Sequence, residues 1–189
     1  MSSMLLGILN SQAAGGGAPY ELLETTTSGG SSITFSGLGS YSNYAHLQFR
    51  FVTKSTNSLT SNTDMLVKFD NSTSSDYASH LLNGYGSGTQ SGAFVGNRDG
   101  ISIIDCLPGT NANSGFFGSG IIDILDWSNP SKNTTLRALS GSVQSADADI
   151  TLTSGAMFKT QAIASVTFQP EGFNNFVSGT RFSLYGIRA

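Results

Sequence analysis

Apolar and polar residues alternate with a period of two along most of the chain beyond residue 19. In the run His46 to Lys54, Leu47, Phe49 and Phe51 fall on one side, while His46, Gln48, Arg50 and Lys54 fall on the other. That period marks a strand with one buried face. Near the end of the chain, Ala164, Val166 and Phe168 share one face, and Phe182 and Leu184 share another. The two runs read as a closing hairpin, with Phe173, Phe176 and Val177 in the connecting loop plugging the core. Further strands are predicted at Tyr20–Thr26, Ser32–Ser36, Met65–Phe69, Tyr77–Leu82, Ala93–Val95, Ile101–Cys106, Gly120–Trp127, Thr134–Val143, Asp149–Thr153 and Ala156–Thr160. The segment Gly84 to Gly100 reads as a long glycine-rich loop around the short Ala93–Val95 strand. Turn markers such as Pro108-Gly109, Asn129-Pro130 and Ser140-Gly141 punctuate the series. About ten to twelve short strands at this spacing predict an all-β chain, an antiparallel β-sandwich of jelly-roll-like type.

Residues 1–19 have a different pattern. Met4, Leu5, Ile8 and Leu9 recur at the spacing of one apolar helical face, and Gly15-Gly16-Gly17 breaks any helix. The stretch is too short to span a membrane and lacks the basic start of a secretory signal. So short a helix is marginal alone in water. It reads as a short N-terminal helical or extended arm. Either the four side chains dock on a partner or neighbouring subunit, or the arm folds back on its own domain. The expected division is a docking arm and glycine hinge at 1–19 and a sandwich domain at 20–189.

Composition narrows the function. Charged residues are 11% of the chain and the formal net charge is −3, with no basic cluster. Binding nucleic acid takes Lys and Arg to neutralise phosphates, so none is expected as a partner. The single cysteine, Cys106, cannot form an intrachain disulfide and reads as a small core residue.

Candidate chemistry is sparse. Asp123 and Asp126 fall on opposite faces of one strand and read as an outward carboxylate and a turn-former, not a catalytic pair. Asp147 and Asp149 share a face; calcium ligation and strand-edge charges are both open readings. His46 reads as exposed and His80 as half-buried, with no nucleophile elbow to support a triad. Gly84-Tyr85-Gly86-Ser87-Gly88 lacks the lysine and helix of a phosphate-binding loop. The expectation is therefore no catalytic residue, no cofactor and no metal. Tyr41, Tyr44, Tyr77, Tyr85 and Trp127 fall in or beside loops, where rings stack on sugars or pack over the sandwich ends. Trp127 and Tyr85 are the candidate glycan contacts.

Five stretches carry a resemblance: Tyr20–Glu24, Ile33–Tyr41, His46–Arg50, Gly120–Trp127 and Ser178–Gly186. Through them, residues 20–188 resemble a family of virion structural proteins of tailed bacteriophages of marine and cyanobacterial hosts. These are strand and turn patterns, and none is a catalytic motif. The resemblance implies a virion location, as a tail-fibre or capsid-surface (decoration) component and not an enzyme. On that reading Met4, Leu5, Ile8 and Leu9 dock to other virion proteins, and the chain forms a homo-oligomer, a trimer being favoured. The alternative is a host-surface glycan-binding adhesin module.

Overall fold

The computed structural model describes residues 19–27, 29–58, 62–72, 74–96, 98–144 and 147–188. The docking residues Met4, Leu5, Ile8 and Leu9 lie outside them. Twelve strands follow in order: β1 (Tyr20–Thr27), β2 (Ile33–Ser36), β3 (His46–Thr53), β4 (Thr63–Phe69), β5 (Tyr77–Tyr85) and β6 (Gly88–Val95). The second half supplies β7 (Ile101–Leu107), β8 (Gly118–Leu125), β9 (Asn133–Gln144), β10 (Asp147–Thr160), β11 (Ser165–Pro170) and β12 (Arg181–Ile187). Eight form one sheet in the order β1-β12-β3-β8-β9-β10-β5-β6, and four form a second, β2-β11-β4-β7. Every pairing is antiparallel. The chain is an all-β, antiparallel sandwich.

The core lies where the alternating faces meet. Leu47, Phe49 and Phe51 of β3, Ile122 and Ile124 of β8, and Phe182 and Leu184 of β12 point inward from the large sheet. Phe35, Val67, Phe69, Val166 and Phe168 answer from the small one. Phe168 and Phe182 stack across the gap with centroids 4.4 Å apart, and Phe35 and Phe49 meet edge-on at 5.0 Å. Offset and edge-on pairs suit the ring quadrupoles, so these contacts fix the sheets' alignment as well as burying area.

Several local readings need correction. The closing runs are not a hairpin: β11 sits in the small sheet between β2 and β4, whereas β12 sits in the large one between β1 and β3. The segment between them crosses the sandwich. Phe176 on it is buried, but Phe173 is fully exposed at φ +61. Asp149–Thr153 and Ala156–Thr160 belong to one strand, β10. Gly155 at its middle is no turn; a Cβ there would lie 2.3 Å from Ile101 Cγ2, so glycine lets β7 pack on the β10 backbone. Gly84–Gly100 is not a loop. β5 and β6 pair from Ala78↔Val95 to Tyr85↔Gly88, and Gly86 turns between them at φ +49. Lys54, read as outward, is buried, and its ammonium donates to the carbonyls of Ala112 (3.2 Å) and Asn113 (2.9 Å).

Candidate functional site

The inner face of the large sheet meets its partner sheet; the outer face is covered by no layer among the described residues. On β10 the usual alternation is inverted there. Ile150 and Leu152 are 60% and 51% exposed, while Thr151 and Thr153 between and beyond them are 1% and 0% exposed. Neither threonine hydroxyl has a hydrogen-bond partner among the described residues. Sandwich strands ordinarily put such residues the other way round. The inversion follows from register. Thr151 pairs with Asn83 and Ser140, and Leu152 pairs with Leu82 and Leu139, so a slip of one residue would turn the whole strand over.

Register also assembles the exposed apolar residues into a row. Ile121 pairs with Leu139, Leu139 with Leu152, and Leu152 with Leu82. All four are exposed, as are Ile150 and Val143 beside them. The row crosses four adjacent strands, β8-β9-β10-β5, about 4.8 Å apart. Between β12 and β10 the face is concave, enclosing about 940 Å³ over a floor that includes Ile121, Leu139, Val143 and Ile150. Arg50 and Arg181 stand at its β3 and β12 margin. The Tyr20 and Tyr185 rings stack on each other at 4.8 Å, and the Arg50 guanidinium lies against the pair, 5.3 and 5.1 Å from their centroids. A contiguous apolar patch of this kind marks an interaction surface.

A second polar group lies along β4 and β7 of the small sheet, and Asp105 carries it across to Asn83 and Ser142 of the large one. Asp64 accepts from the Asp105 amide (3.1 Å) and from Arg98 (3.1 Å), and Arg98 also reaches Glu171 (2.5 Å). Asp105, at φ +50, accepts from Asn83 Nδ2 (3.1 Å). Burial pushes the carboxyls of Asp64 and Asp105 up, each to about 6, with the neighbouring carboxylates adding to the rise. Both groups hold their protons to higher pH in the fold than in the unfolded chain. The native state therefore binds more protons between about pH 4 and 6, and stability rises as pH falls through that window. A thermal melt at pH 5 should lie above one at pH 7 by an effect of about 2 kcal/mol, roughly 5 °C. Asp105→Asn removes one charge, keeps a residue suited to positive φ, and should raise Tm at pH 7 while flattening the difference. A melt that instead falls steadily from pH 7 to pH 5 would contradict this.

The structure separates most of the residues singled out by sequence. Trp127 is 1% exposed, its Nε1 donating to the Tyr44 carbonyl at 3.1 Å. It cannot stack on a glycan, because the turn after β8 folds its ring into the core. Tyr44 and Tyr77 are buried too, and Tyr41 packs against the core; of the five loop aromatics only Tyr85 is exposed. Asp123 and Asp126 are apart, paired with Arg137 (3.0 Å) and Lys132 (2.7 Å) respectively. His46 Nδ1 accepts from the Asp126 amide at 3.2 Å, and His80 is exposed rather than half-buried. Asp149 hydrogen-bonds Asn62. Cys106 is fully buried, and burial pushes its thiol well up, as a core residue requires. Among the described residues there is no group of three His, Cys, Asp or Glu placed to hold a metal, and no helix long and apolar enough to cross a membrane.

A period of two with one buried face per strand does not reveal the outer row. A signal was present: Ile121-Ile122, Ile124-Leu125 and Leu81-Leu82 are adjacent apolar pairs, which mark strands apolar on both faces. Comparison with family models, curated proteins and solved structures finds no match to this chain.

Proposed function

We propose that the protein is a structural component of a tailed-phage virion exterior, tail-fibre-associated or capsid-decorating, which acts by binding other virion proteins and copies of itself. The observation that carries the reading is the inverted β10: Ile150 and Leu152 are turned outward, Ile150 into the concave hollow and Leu152 on the exposed row beside it, while threonines fill the interior. Such a face gains free energy when a protein surface covers it, by about 25 cal/mol per Å² of apolar area removed from water. The phage context comes from the sequence resemblance. Four of its five stretches build β1, β12, β3 and β8, which are consecutive neighbours in the large sheet. The fifth, Ile33–Tyr41, builds β2 in the small sheet and the turn after it.

The test is recovery of the protein in purified particles, with antibody labelling of their exterior. The double variant Leu139→Asp/Leu152→Asp, altered only at exposed positions, should keep its β-sheet circular dichroism and Tm. It should be incorporated at roughly a tenth of the wild-type level or less, since charge at the centre of an apolar interface costs more than 1.4 kcal/mol. Wild-type protein absent from washed particles, or full incorporation of the folded variant, would overturn the reading. The adhesin alternative now rests on Tyr85, whose exposed ring lies over Gly88. Glycan-array binding abolished by Tyr85→Ala would favour it.

A further inference from the structure

We propose that residues 4–9 of one copy seat on the concave outer face of the large sheet of a neighbouring copy, with Met4, Leu5, Ile8 and Leu9 covering Ile121, Leu139 and Ile150 in the hollow and Leu152 at its edge. This rests on the reading of that face as an assembly surface and names what fills it.

Shape argues for a narrow occupant. The face encloses about 940 Å³. Two such concave faces pressed together would trap a void, and voids forfeit the dispersion contacts that make burial favourable. A short segment with apolar side chains fills the hollow. Chemistry agrees: residues 1–18 contain no Asp, Glu, Lys, Arg or His, and the floor of the hollow is aliphatic. Arg50 and Arg181 stand at the margin, and Asp149, which also lines the hollow, accepts a hydrogen bond from Asn62, so an uncharged arm brings no further charge to the covered face.

Chain direction selects the neighbour over the same copy. The hollow lies mostly beside the far half of β1: Ser183 and Arg181 on its margin pair with Thr25 and Thr27, and Tyr185, where it comes nearest the entry, pairs with Leu22. The chain enters β1 at the opposite end, where Arg188 N–H still bonds the Pro19 carbonyl at 3.0 Å. From Pro19 the strand runs toward the hollow, so an arm attached there would have to reverse direction to cover its own face. Reaching a neighbour takes no reversal. The nine residues 10–18, including Gly15-Gly16-Gly17, span up to roughly 30 Å when extended, enough to bridge two adjacent bodies. Each copy then gives one arm and receives one, a head-to-tail contact that closes into a ring when the rotation permits.

The experiment uses full-length chains carrying single cysteines. Leu5→Cys protein is mixed with Leu152→Cys protein, or with Ser36→Cys protein as a control on the opposite sheet. The native Cys106 is fully buried and does not compete. Under mild oxidation, the Leu5/Leu152 mixture should form an interchain disulfide roughly tenfold or more faster than the control, because docking raises the local thiol concentration. In parallel, Leu5→Asp/Ile8→Asp and Leu139→Asp should each dissociate the oligomer measured by light scattering. Equal rates in both mixtures would overturn the proposal. So would an oligomer that survives the arm variant yet dissociates with Leu139→Asp, which would mean that another part of the second copy covers the face. Either failure leaves particle incorporation, the test of the proposed function, to be decided separately.

Discussion

Phe182→Ala is expected to destabilise the protein by about 3–5 kcal/mol and to lower Tm by roughly 10 °C. Phe182 is fully buried, and it is the ring on which both sheets converge. Phe168 of the small sheet stacks on it at 4.4 Å, Phe51 lies 5.7 Å away on the adjacent β3, and Phe176 of the crossing segment meets it edge-on at 5.7 Å. Truncation removes a large apolar side chain and leaves a cavity that none of the three can fill without losing its own packing. The neighbours belong to a strand of each sheet and to the crossover between them, so the site cannot collapse by moving one element. Leu139→Ala is the matched control. It deletes a large aliphatic side chain from the exposed row, and in the monomer it should change stability by less than about 0.5 kcal/mol. Urea melts of the two variants at one protein concentration check the pair. A loss below about 1 kcal/mol for Phe182→Ala would mean that the aromatic cluster does not hold the sheets together.

The inward faces were legible because they follow the simplest rule. Leu47, Phe49 and Phe51, and again Phe182 and Leu184, are large apolar residues alternating with polar ones, and all five are buried. Three features were not legible, each for a physical reason. Sheet membership was one: β11 and β12 each show a clean period of two, yet no local signal says that the segment between them crosses the sandwich. Gly155 was another, since a glycine inside a strand pattern looks like a turn until the Ile101 side chain that occupies its missing Cβ is known. The third is the candidate site itself. In β10 the alternation is present but its phase misleads, because Ile150 and Leu152 would be assigned to the core by hydrophobicity alone. Their true side is set by pairing with β9 and β5, a non-local property. Trp127 failed in the opposite sense: a turn sequence suggested exposure, but its ring closes the core beside Tyr44.

Gly118→Ala should be the most damaging small substitution in the chain, at about 3 kcal/mol or more. A Cβ built there would lie 2.0 Å from the carbonyl oxygen of Cys106 and 3.0 Å from Pro108 Cδ. The first obstacle is backbone, so no side-chain rotation relieves it. Gly118 opens β8 in the large sheet and Cys106 belongs to β7 in the small one. The glycine therefore marks a point where the two sheets touch through their main chains. Relief requires β7 to move away from β8, yet β7 also carries Ile101 against Gly155 and Asp105 against Asn83. A shift of β7 thus disturbs the packing under β10, which lines the outer hollow, and under β5 beside it. The expected result is a lower Tm together with weaker self-association, two effects from one methyl group that never reaches the outer face. Gly39→Ala is the control, because nothing lies within 4 Å of its added carbon and its φ is not positive. That substitution should be neutral or slightly stabilising by restricting the unfolded chain. Equal Tm values for the two variants would refute the claim that main-chain contact at Gly118 sets the spacing of the sheets.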